Sequence, residues 1–321
     1  MTTVRRSILF TPANVHRFVA GVWKHRPDMV VLDLEDSVAP DEKQTARALV
    51  QEAIHLAGRG GAEVAVRMNS DAVAEDCIAA IWPGLCAVVL PKAEYTEEIT
   101  ALDKLLTRLE SERDLPSGSV EIMPMIETAI GVGNAYTIAS ASGRITSFGV
   151  LGEADLTANL GASFDALQFH DVLAYPRGEV GLVARALGLT VNGRAWTPGK
   201  ATIADYGDPE ALELSMRASW LAGCRSTFCI HPRQVAAANT YLRPSESDVA
   251  EAVEALRVYT EANGLRQAYG VHNGYIVDAR VAHAAQEVID YAAACDAKDA
   301  EIARRVEELE GRETSNTAEE E

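Results

Sequence analysis

The chain has 321 residues and a formal net charge of −18 at pH 7, from 29 Lys and Arg against 47 Asp and Glu. Hydrophobic residues make up 48% of it, which is enough for a buried core and excludes an intrinsically disordered chain. A pI near 4.8 argues against nucleic acid as a partner, because phosphate binding needs a basic surface.

The apolar runs are as long as strands and far short of the ~20 residues that a membrane helix needs. The apolar stretch near the N-terminus ends at Pro12 and is too short for a secretory signal. The five cysteines are odd in number and show no CxxC spacing, so neither a disulfide framework nor a zinc site is indicated. We therefore expect a cytoplasmic protein with no membrane partner.

Eight short apolar segments resemble buried strands: Ser7–Thr11, Met29–Leu34, Glu63–Met68, Cys86–Leu90, Glu121–Ile126, Ile145–Val150, Leu189–Asn192 and Thr227–His231. Helix-like stretches separate most of them: Asp41–Ala57, Ala72–Ile81, Thr96–Glu112, Ala135–Ser142, Val172–Leu187 and Pro209–Gly223. Such alternation indicates parallel pairing through right-handed crossovers. Neither the glycine-rich turn of an open dinucleotide-binding sheet nor a phosphate loop is present. The pattern predicts an α/β fold, a (β/α)8 TIM barrel with a C-terminal helical extension.

The pattern changes after His231, where two longer helices are predicted over Ser245–Asn263 and Ala279–Cys295, with a glycine-containing loop between them. The final residues are acidic and polar. We expect a TIM-barrel catalytic domain over residues 1–240, a helical extension over 241–300 and a flexible acidic tail over 301–321.

Polar side chains follow most of the predicted strands at their carboxyl ends, where a TIM barrel carries its chemistry. Along the chain these are Asp33, Glu35, Asp36, Arg67, Asn69, Lys92, Glu127, Glu153, Asp155 and His231, with Gly152 in the same loop as Glu153. Their coincidence at one rim is a stronger signal than any member alone.

Glu127 and Asp155 follow consecutive strands, and two carboxylates without nearby Cys or His favour a hard cation such as Mg²⁺. Arg67 offers a planar fork that suits a substrate carboxylate. Together they would hold a 2-oxo acid or an enolate. Simpler interpretations remain open: Asp155 as a helix cap, Arg67 in a salt bridge at the rim, and His231 as a residue that orients a turn.

The motifs that carry a family resemblance span Arg6 to Ala285 and include Arg6–Pro12, Val31–Val38, Val66–Asn69, Leu90–Lys92, Pro124–Ala129, Gly152–Gly161 and Ile230–Pro232. In these segments the chain resembles the citrate lyase beta-subunit-like branch of the HpcH/HpaI aldolase family. That branch includes malyl-CoA, citramalyl-CoA and citryl-CoA lyases. The resemblance implies a Mg²⁺-dependent carbon–carbon lyase, with Mn²⁺ as an alternative ion and a CoA thioester as substrate.

By the same resemblance, Glu127 and Asp155 hold the metal and Arg67 binds the substrate carboxylate. The backbone around Gly152, Glu153 and Ala154 contacts the 2-oxo acid. The extension packs over a neighbouring subunit of a homo-oligomer, a trimer or hexamer, and contributes Asp278 as catalytic acid or base. Asp278 could also cap the helix that follows it. Five further residues are expected to surround the metal and substrate ligands and hold them in place: Asp33, Glu35, Asp36, Asn69 and Lys92.

The chain departs from the family pattern at Ala13, where the family has glycine, at Ala154, and in the loop Asn192–Trp196. These departures leave the predicted metal site intact and bear on the substrate. The alternatives to a CoA-dependent lyase are a CoA-independent class II pyruvate aldolase, a malyl-CoA thioesterase, and a subunit that is active only within a complex.

Overall fold

The computed structural model describes residues 3–150, 152–197 and 207–319 of the chain. Within them, eight parallel strands form one sheet in the order β7-β6-β5-β4-β3-β2-β1-β8. The strands are β1 Ser7–Pro12, β2 Met29–Asp33, β3 Glu63–Arg67, β4 Leu85–Leu90, β5 Glu121–Ile126, β6 Ser147–Val150, β7 Thr190–Asn192 and β8 Thr227–Cys229.

A parallel bridge between Asn192 and Ser226 joins β7 to the start of β8 and closes the sheet on itself. The backbone amide of Gly193 donates to the carbonyl of Ser226 at 2.9 Å, and that of Arg225 donates to the carbonyl of Val191 at 2.9 Å. The predicted TIM barrel is therefore confirmed, and each strand begins and ends within about two residues of its predicted bounds.

Alternation along the strands divides the core into two layers. One side-chain set fills the barrel interior and includes Ile8, Met29, Val31, Val89 and Phe228. The neighbouring residues of the same strands point outward and pack against the surrounding helices. Because both faces of every strand are covered, the strands read as continuous apolar runs in the sequence.

The helices surround the barrel and continue into the extension. They are α1 His16–Gly21, α2 Lys43–Gly58, α3 Val73–Ala80, α4 Thr96–Glu112, α5 Ala129–Gly133, α6 Ala135–Ala139, α7 Glu153–Asn159, α8 Ala174–Ala186, α9 Pro209–Leu221, α10 Pro232–Tyr241, α11 Glu246–Gly264 and α12 Ala279–Glu319. In the described part of the chain, no helix combines the length and apolar character needed to cross a membrane.

The loop predicted between the last two helices contains a two-stranded antiparallel hairpin, β9 Gly270–His272 and β10 Tyr275–Val277. Val277 packs with Ala252, Ala255 and Ala285 between α11 and α12. The outer side chains of the hairpin remain largely exposed, with Tyr275 at 76%.

The last helix runs through most of the segment at 301–321 that the sequence predicts to be a flexible acidic tail. α12 continues without a break through residue 319; residues 320 and 321 lie outside the described residues. Ile302, Val306 and Leu309 are buried against Trp23. Their i, i+4, i+7 spacing forms one apolar stripe, which the surrounding acidic residues obscure in a composition-based reading.

Candidate active site

Glu127 follows the last residue of β5 and is only 3% exposed. The backbone amide of Lys92, after β4, donates to Glu127 Oε1 at 2.7 Å. Lys92 holds a left-handed conformation with φ of 49°, which is uncommon for a residue with a side chain. Burial raises the pKa of Glu127 to about 8, and the nearby charges of Asp155 and Glu35 contribute further.

Gly152 forms the opposite side of the Glu127 carboxylate. Its φ is +94°, and a Cβ placed there would lie 2.1 Å from Glu127 Oε2. Only glycine therefore fits this approach without displacing the carboxylate. Gly152 leads into α7, whose first turn carries Asp155 with its side chain exposed. The structure thus brings the two predicted metal ligands together at one rim.

Arg67, the last residue of β3, binds carboxylates of its own chain. Its Nε and Nη2 donate to the two oxygens of Asp33, both at 2.7 Å. Burial opposes the charged guanidinium, but the hydrogen bonds to Asp33 outweigh it and raise the pKa of Arg67. The guanidinium also lies 4.9 Å from the ring centre of Phe10. The salt-bridge interpretation of Arg67 is confirmed, and Asp33 fixes the direction of its fork.

The other acidic residues of the loop after β2, Glu35 and Asp36, lie close to the Arg67 guanidinium. Arg67 Nη1 lies 3.0 Å from Glu35 Oε2 and 3.1 Å from Asp36 Oδ2. Lys92 Nζ lies 3.4 Å from Glu35 Oε1. Burial raises the pKa of Glu35 despite these cations. Asp33, Glu35, Asp36 and Lys92 therefore surround the predicted site.

The side chain of Asn69 is engaged elsewhere. Both its backbone amide and its Nδ2 donate to Asp76 Oδ2, at 2.6 and 2.9 Å. Asp76 lies on α3 and also binds Arg47. Asn69 thus connects the end of β3 to the outer helices.

Glu153 is likewise held by a partner outside the rim. Arg177 of α8 donates to Glu153 Oε1 from Nε at 3.1 Å and from Nη2 at 2.8 Å, and its Nη1 binds Asp171. Any contact of Glu153 and Ala154 with a ligand would therefore come from backbone amides of the first turn of α7, which have no partner within the helix.

Asp278 lies at the start of α12, and its Oδ1 accepts from the backbone amide of Val281 at 3.0 Å. The capping interpretation is thus confirmed, while its catalytic role remains a prediction. His231 caps α10 through a hydrogen bond from the amide of Arg233 at 3.2 Å, in a box completed by Gln234. The turn-orienting interpretation of His231 is also confirmed.

Residues that the sequence analysis did not single out complete this rim. Ser37 donates to Asp33 Oδ2 at 2.5 Å, and Lys43 Nζ donates to the carbonyls of Leu34 and Glu35 at 2.8 and 2.6 Å. Both residues come within ten positions of the end of β2, so their place in the sequence could have indicated that they lie near the rim. Arg177 offered none, since 24 residues separate it from Glu153.

The rim fits a magnesium ion. Among the described residues no group of three His, Cys, Asp or Glu side chains could hold a metal. Magnesium does not require one, because it commonly takes one or two protein carboxylates and fills its octahedron with water and substrate oxygens. The buried Glu127 carboxylate beside Asp155 is a pair whose mutual repulsion a divalent cation would relieve.

Residues 6–198 match a protein family described as HpcH/HpaI aldolase/citrate lyase. Over 303 residues the chain is 29% identical to the citrate lyase subunit beta of Leuconostoc mesenteroides subsp. cremoris, covering 93% of this chain and 96% of that one. It is 28% identical over 296 residues to the L-malyl-CoA/beta-methylmalyl-CoA lyase of Cereibacter sphaeroides, covering 85% and 90%.

Among solved structures, the CitE protein of Mycobacterium tuberculosis in complex with magnesium, acetoacetate and coenzyme A superposes with a TM-score of 0.66. It is 25% identical, and the match covers 89% of this chain and 97% of that one.

Proposed function

The chain belongs to the HpcH/HpaI aldolase/citrate lyase family, and on that premise we propose that it is a Mg²⁺-dependent carbon–carbon lyase. Its substrate is a carboxylated 3-hydroxyacyl-CoA of the malyl, citramalyl or citryl type. The products are acetyl-CoA or a homologue and a 2-oxo acid. The observation that carries the proposal is the buried Glu127 carboxylate beside Asp155, at the rim that also holds Arg67.

Glu127 and Asp155 would hold the magnesium ion, and Mn²⁺ is the alternative in this oxygen-ligand site. When bound, such an ion supplies Lewis-acid polarisation of oxygen atoms on the substrate. The first-turn amides of α7, at Glu153 and Ala154, would donate to the same substrate region. Gly152 keeps this turn in contact with Glu127.

Arg67 would bind the substrate carboxylate. A guanidinium has five N–H groups, and Asp33 accepts from two nitrogens of Arg67 without exhausting them. Asp36 is the easiest partner to displace, because its side chain is 63% exposed and lies 3.1 Å from Nη1. Asp33 then acts as a positioning residue that aims Arg67 at the substrate.

A base takes the proton of the substrate hydroxyl, whose oxygen becomes the new carbonyl of the 2-oxo acid. The C–C bond breaks, and its electron pair moves onto the carbon next to the thioester carbonyl, which gives an enolate. A proton must then be delivered to the enolate carbon. We assign this step to Asp278 of a neighbouring subunit in a homo-oligomer, a trimer or hexamer. Residues 241–300 would form the extension that reaches that subunit, and residues 1–240 the catalytic barrel.

The test is a cleavage assay on purified protein with malyl-, citramalyl- and citryl-CoA, each with Mg²⁺ and with EDTA. Both the 2-oxo acid and the free thiol are quantified. We expect 2-oxo acid without free thiol, only with metal, and the preferred thioester identifies the substrate. Glu127→Gln should remove the activity, whereas Glu97→Gln, an exposed carboxylate on α4, should retain it.

Other outcomes would contradict the proposal in distinct ways. Free thiol without 2-oxo acid would indicate a thioesterase. Cleavage of free hydroxy-keto acids but not of thioesters would indicate a pyruvate aldolase that works without CoA. Activity that emerges only with added partner proteins would indicate a subunit of a complex. We further propose a cytoplasmic location, with which five cysteines that form no disulfide accord.

A further inference from the structure

A cleft of about 880 Å³ lies on the outside of the barrel, between α8, the beginnings of β7 and β8, and α12. Gly188, Thr190 and Arg225, which line it, lie at or just before the first residues of β7 and β8. Arg194 and Ala195, which follow β7, also line the cleft, so it runs along the outside of the barrel past the end of that strand; neither predicted metal ligand is part of the lining. The volume is in the range of small-molecule sites, roughly 300–1,000 Å³.

Four arginines line this cleft, at positions 177, 185, 194 and 225. Arg177 is bound to Glu153 and Asp171, and Arg194 donates to Ser215 Oγ. Arg185 and Arg225 differ from Arg177, because within the described residues neither guanidinium has a carboxylate oxygen within 4 Å. Both arginines lie in one cleft of a chain whose net charge is −18, with Arg185 exposed and Arg225 half-buried.

Arg225 is held in place by aromatic stacking. Its guanidinium lies 3.8 Å from the ring centre of Trp220, and Trp220 stacks on Tyr291 with the ring centres 5.7 Å apart. Its Nη1 donates to the carbonyl of Cys224 at 3.0 Å. Burial lowers the pKa of Arg225, and the positive charge of Arg185 also lowers it, while Tyr291 and Glu287 act in the opposite direction. An anion placed between the two arginines would relieve their repulsion.

The wall of the cleft formed by α12 is acidic, and this limits where an anion can bind. α12 contributes Glu287 and Asp290 to the lining. Negative groups of a ligand would be repelled from that side and attracted to the side formed by α8 and the start of β8. Each planar guanidinium binds one phosphate or carboxylate group, so the pair matches a ligand with two neighbouring anionic groups.

We propose that this cleft binds a small polyanion, whose two neighbouring phosphate or carboxylate groups lie against Arg185 and Arg225. A phosphorylated metabolite and a polycarboxylate share this chemistry. The proposed contacts involve neither Glu127 nor Asp155, and the ligand binds without Mg²⁺.

The test is isothermal titration of the full chain with inorganic pyrophosphate and, separately, with citrate, in EDTA and at low salt. We expect saturable binding of at least one probe, and the tighter one tells whether phosphate or carboxylate is preferred. Arg185→Gln should weaken binding about tenfold or more, because it removes a charge-assisted contact. Arg225→Lys should weaken it as well, since the charge remains but the planar fork is lost.

Two control variants make the result decisive. Arg59→Gln removes an exposed arginine at the end of α2 and should leave binding unchanged. Glu127→Gln should also leave it unchanged, because the active-site rim is not involved. The proposal is overturned if neither probe binds at millimolar concentration, if Arg185→Gln binds as tightly as the wild type or no more weakly than Arg59→Gln, or if Glu127→Gln abolishes binding.

Discussion

At the scale of single residues, the surroundings of Glu127 dominate the chemistry of the rim. Its carboxylate is enclosed by the Lys92 amide on one side and by Gly152 on the other. Taking a carboxylate out of water is unfavourable unless it is neutralised or paired. Its pKa of about 8 expresses that cost, and a bound cation would remove it.

Gly152→Ala should disable the site while leaving the barrel folded. Alanine at this position would be strained, because the backbone φ is +94°. Its Cβ would also lie 2.1 Å from Glu127 Oε2, so the carboxylate must move. We expect kcat/KM to fall by about 100-fold or more, because displacements near 1 Å have that effect, and Mg²⁺ affinity to fall in calorimetry.

Gly133→Ala is the matched control, since a Cβ at that helical position meets nothing within 4 Å. It should retain activity. If Gly152→Ala keeps wild-type Mg²⁺ affinity, the close approach of Gly152 to Glu127 does not shape the metal site.

At the scale of elements, Glu110 ties α4 to the segments that enter β5 and β6. Its carboxylate is fully buried, accepts both Nη atoms of Arg144 at 2.7 Å, and accepts the amides of Gly118 and Val120 at 2.8 and 2.9 Å. Glu110→Gln should lower the free energy of unfolding by about 2–4 kcal/mol, because the buried charge of Arg144 loses one of its two carboxylate partners and keeps only Asp103. Glu112→Gln removes an exposed ion pair with Arg108 on the same helix and should change the free energy of unfolding by less than about 0.5 kcal/mol.

The Glu110 interaction should also depend on pH. Burial acts to raise the pKa of Glu110, but the hydrogen bonds from Arg144 and the two amides outweigh it and hold the pKa below its ordinary value of 4.5. The stabilisation is therefore complete above pH 4.5 and is lost as the pH falls through the folded-state value. Urea unfolding of wild type and Glu110→Gln at pH 6 and near pH 3 should show their difference shrinking in acid. A constant difference would contradict this assignment.

The end of α12 should contribute to stability as a packed element. Ile302 is 2% exposed and lies against Trp23, so Ile302→Ala should cost about 2–4 kcal/mol. Arg304→Ala changes an exposed residue on the same helix and should cost little. Equal unfolding midpoints for the two variants would mean that this end of the helix is not docked in solution.

At the scale of the whole molecule, the extension places Asp278 on a helix end whose contacts in this chain are with α11 and the hairpin. The hairpin leaves Val271, Tyr275 and Ile276 at least 60% exposed. An exposed apolar surface next to a predicted catalytic residue accords with an active site shared between subunits.

Mixing subunits tests this sharing. A Glu127→Ala chain lacks a metal site but carries Asp278, and an Asp278→Ala chain is its complement. Random 1:1 oligomers should recover up to about a quarter of wild-type activity in a ring where each barrel takes Asp278 from one neighbour. Mixtures of Glu127→Ala and Asp155→Ala should recover none, because both defects lie in the same barrel. No recovery in verified mixed oligomers of the first pair would count against catalysis in trans.

The sequence by itself determined the barrel, its strand bounds and the residues at its carboxyl rim. These features depend on local patterns: apolar runs of strand length, helical periodicity between them, and polar side chains where each strand ends. Glu127, Asp155 and Arg67 follow their strands directly, so counting strands was enough to bring them to one rim.

Only the tertiary structure decided which partners these residues take. Arg67 finds Asp33 on the adjacent strand, Glu153 finds Arg177 on α8, and Asn69 turns away to Asp76. It also decided that α12 packs on the barrel beyond residue 301, since Ile302, Val306 and Leu309 are buried against Trp23, which lies near the other end of the chain. Such contacts join residues far apart in sequence and depend on packing and desolvation, which no local pattern records.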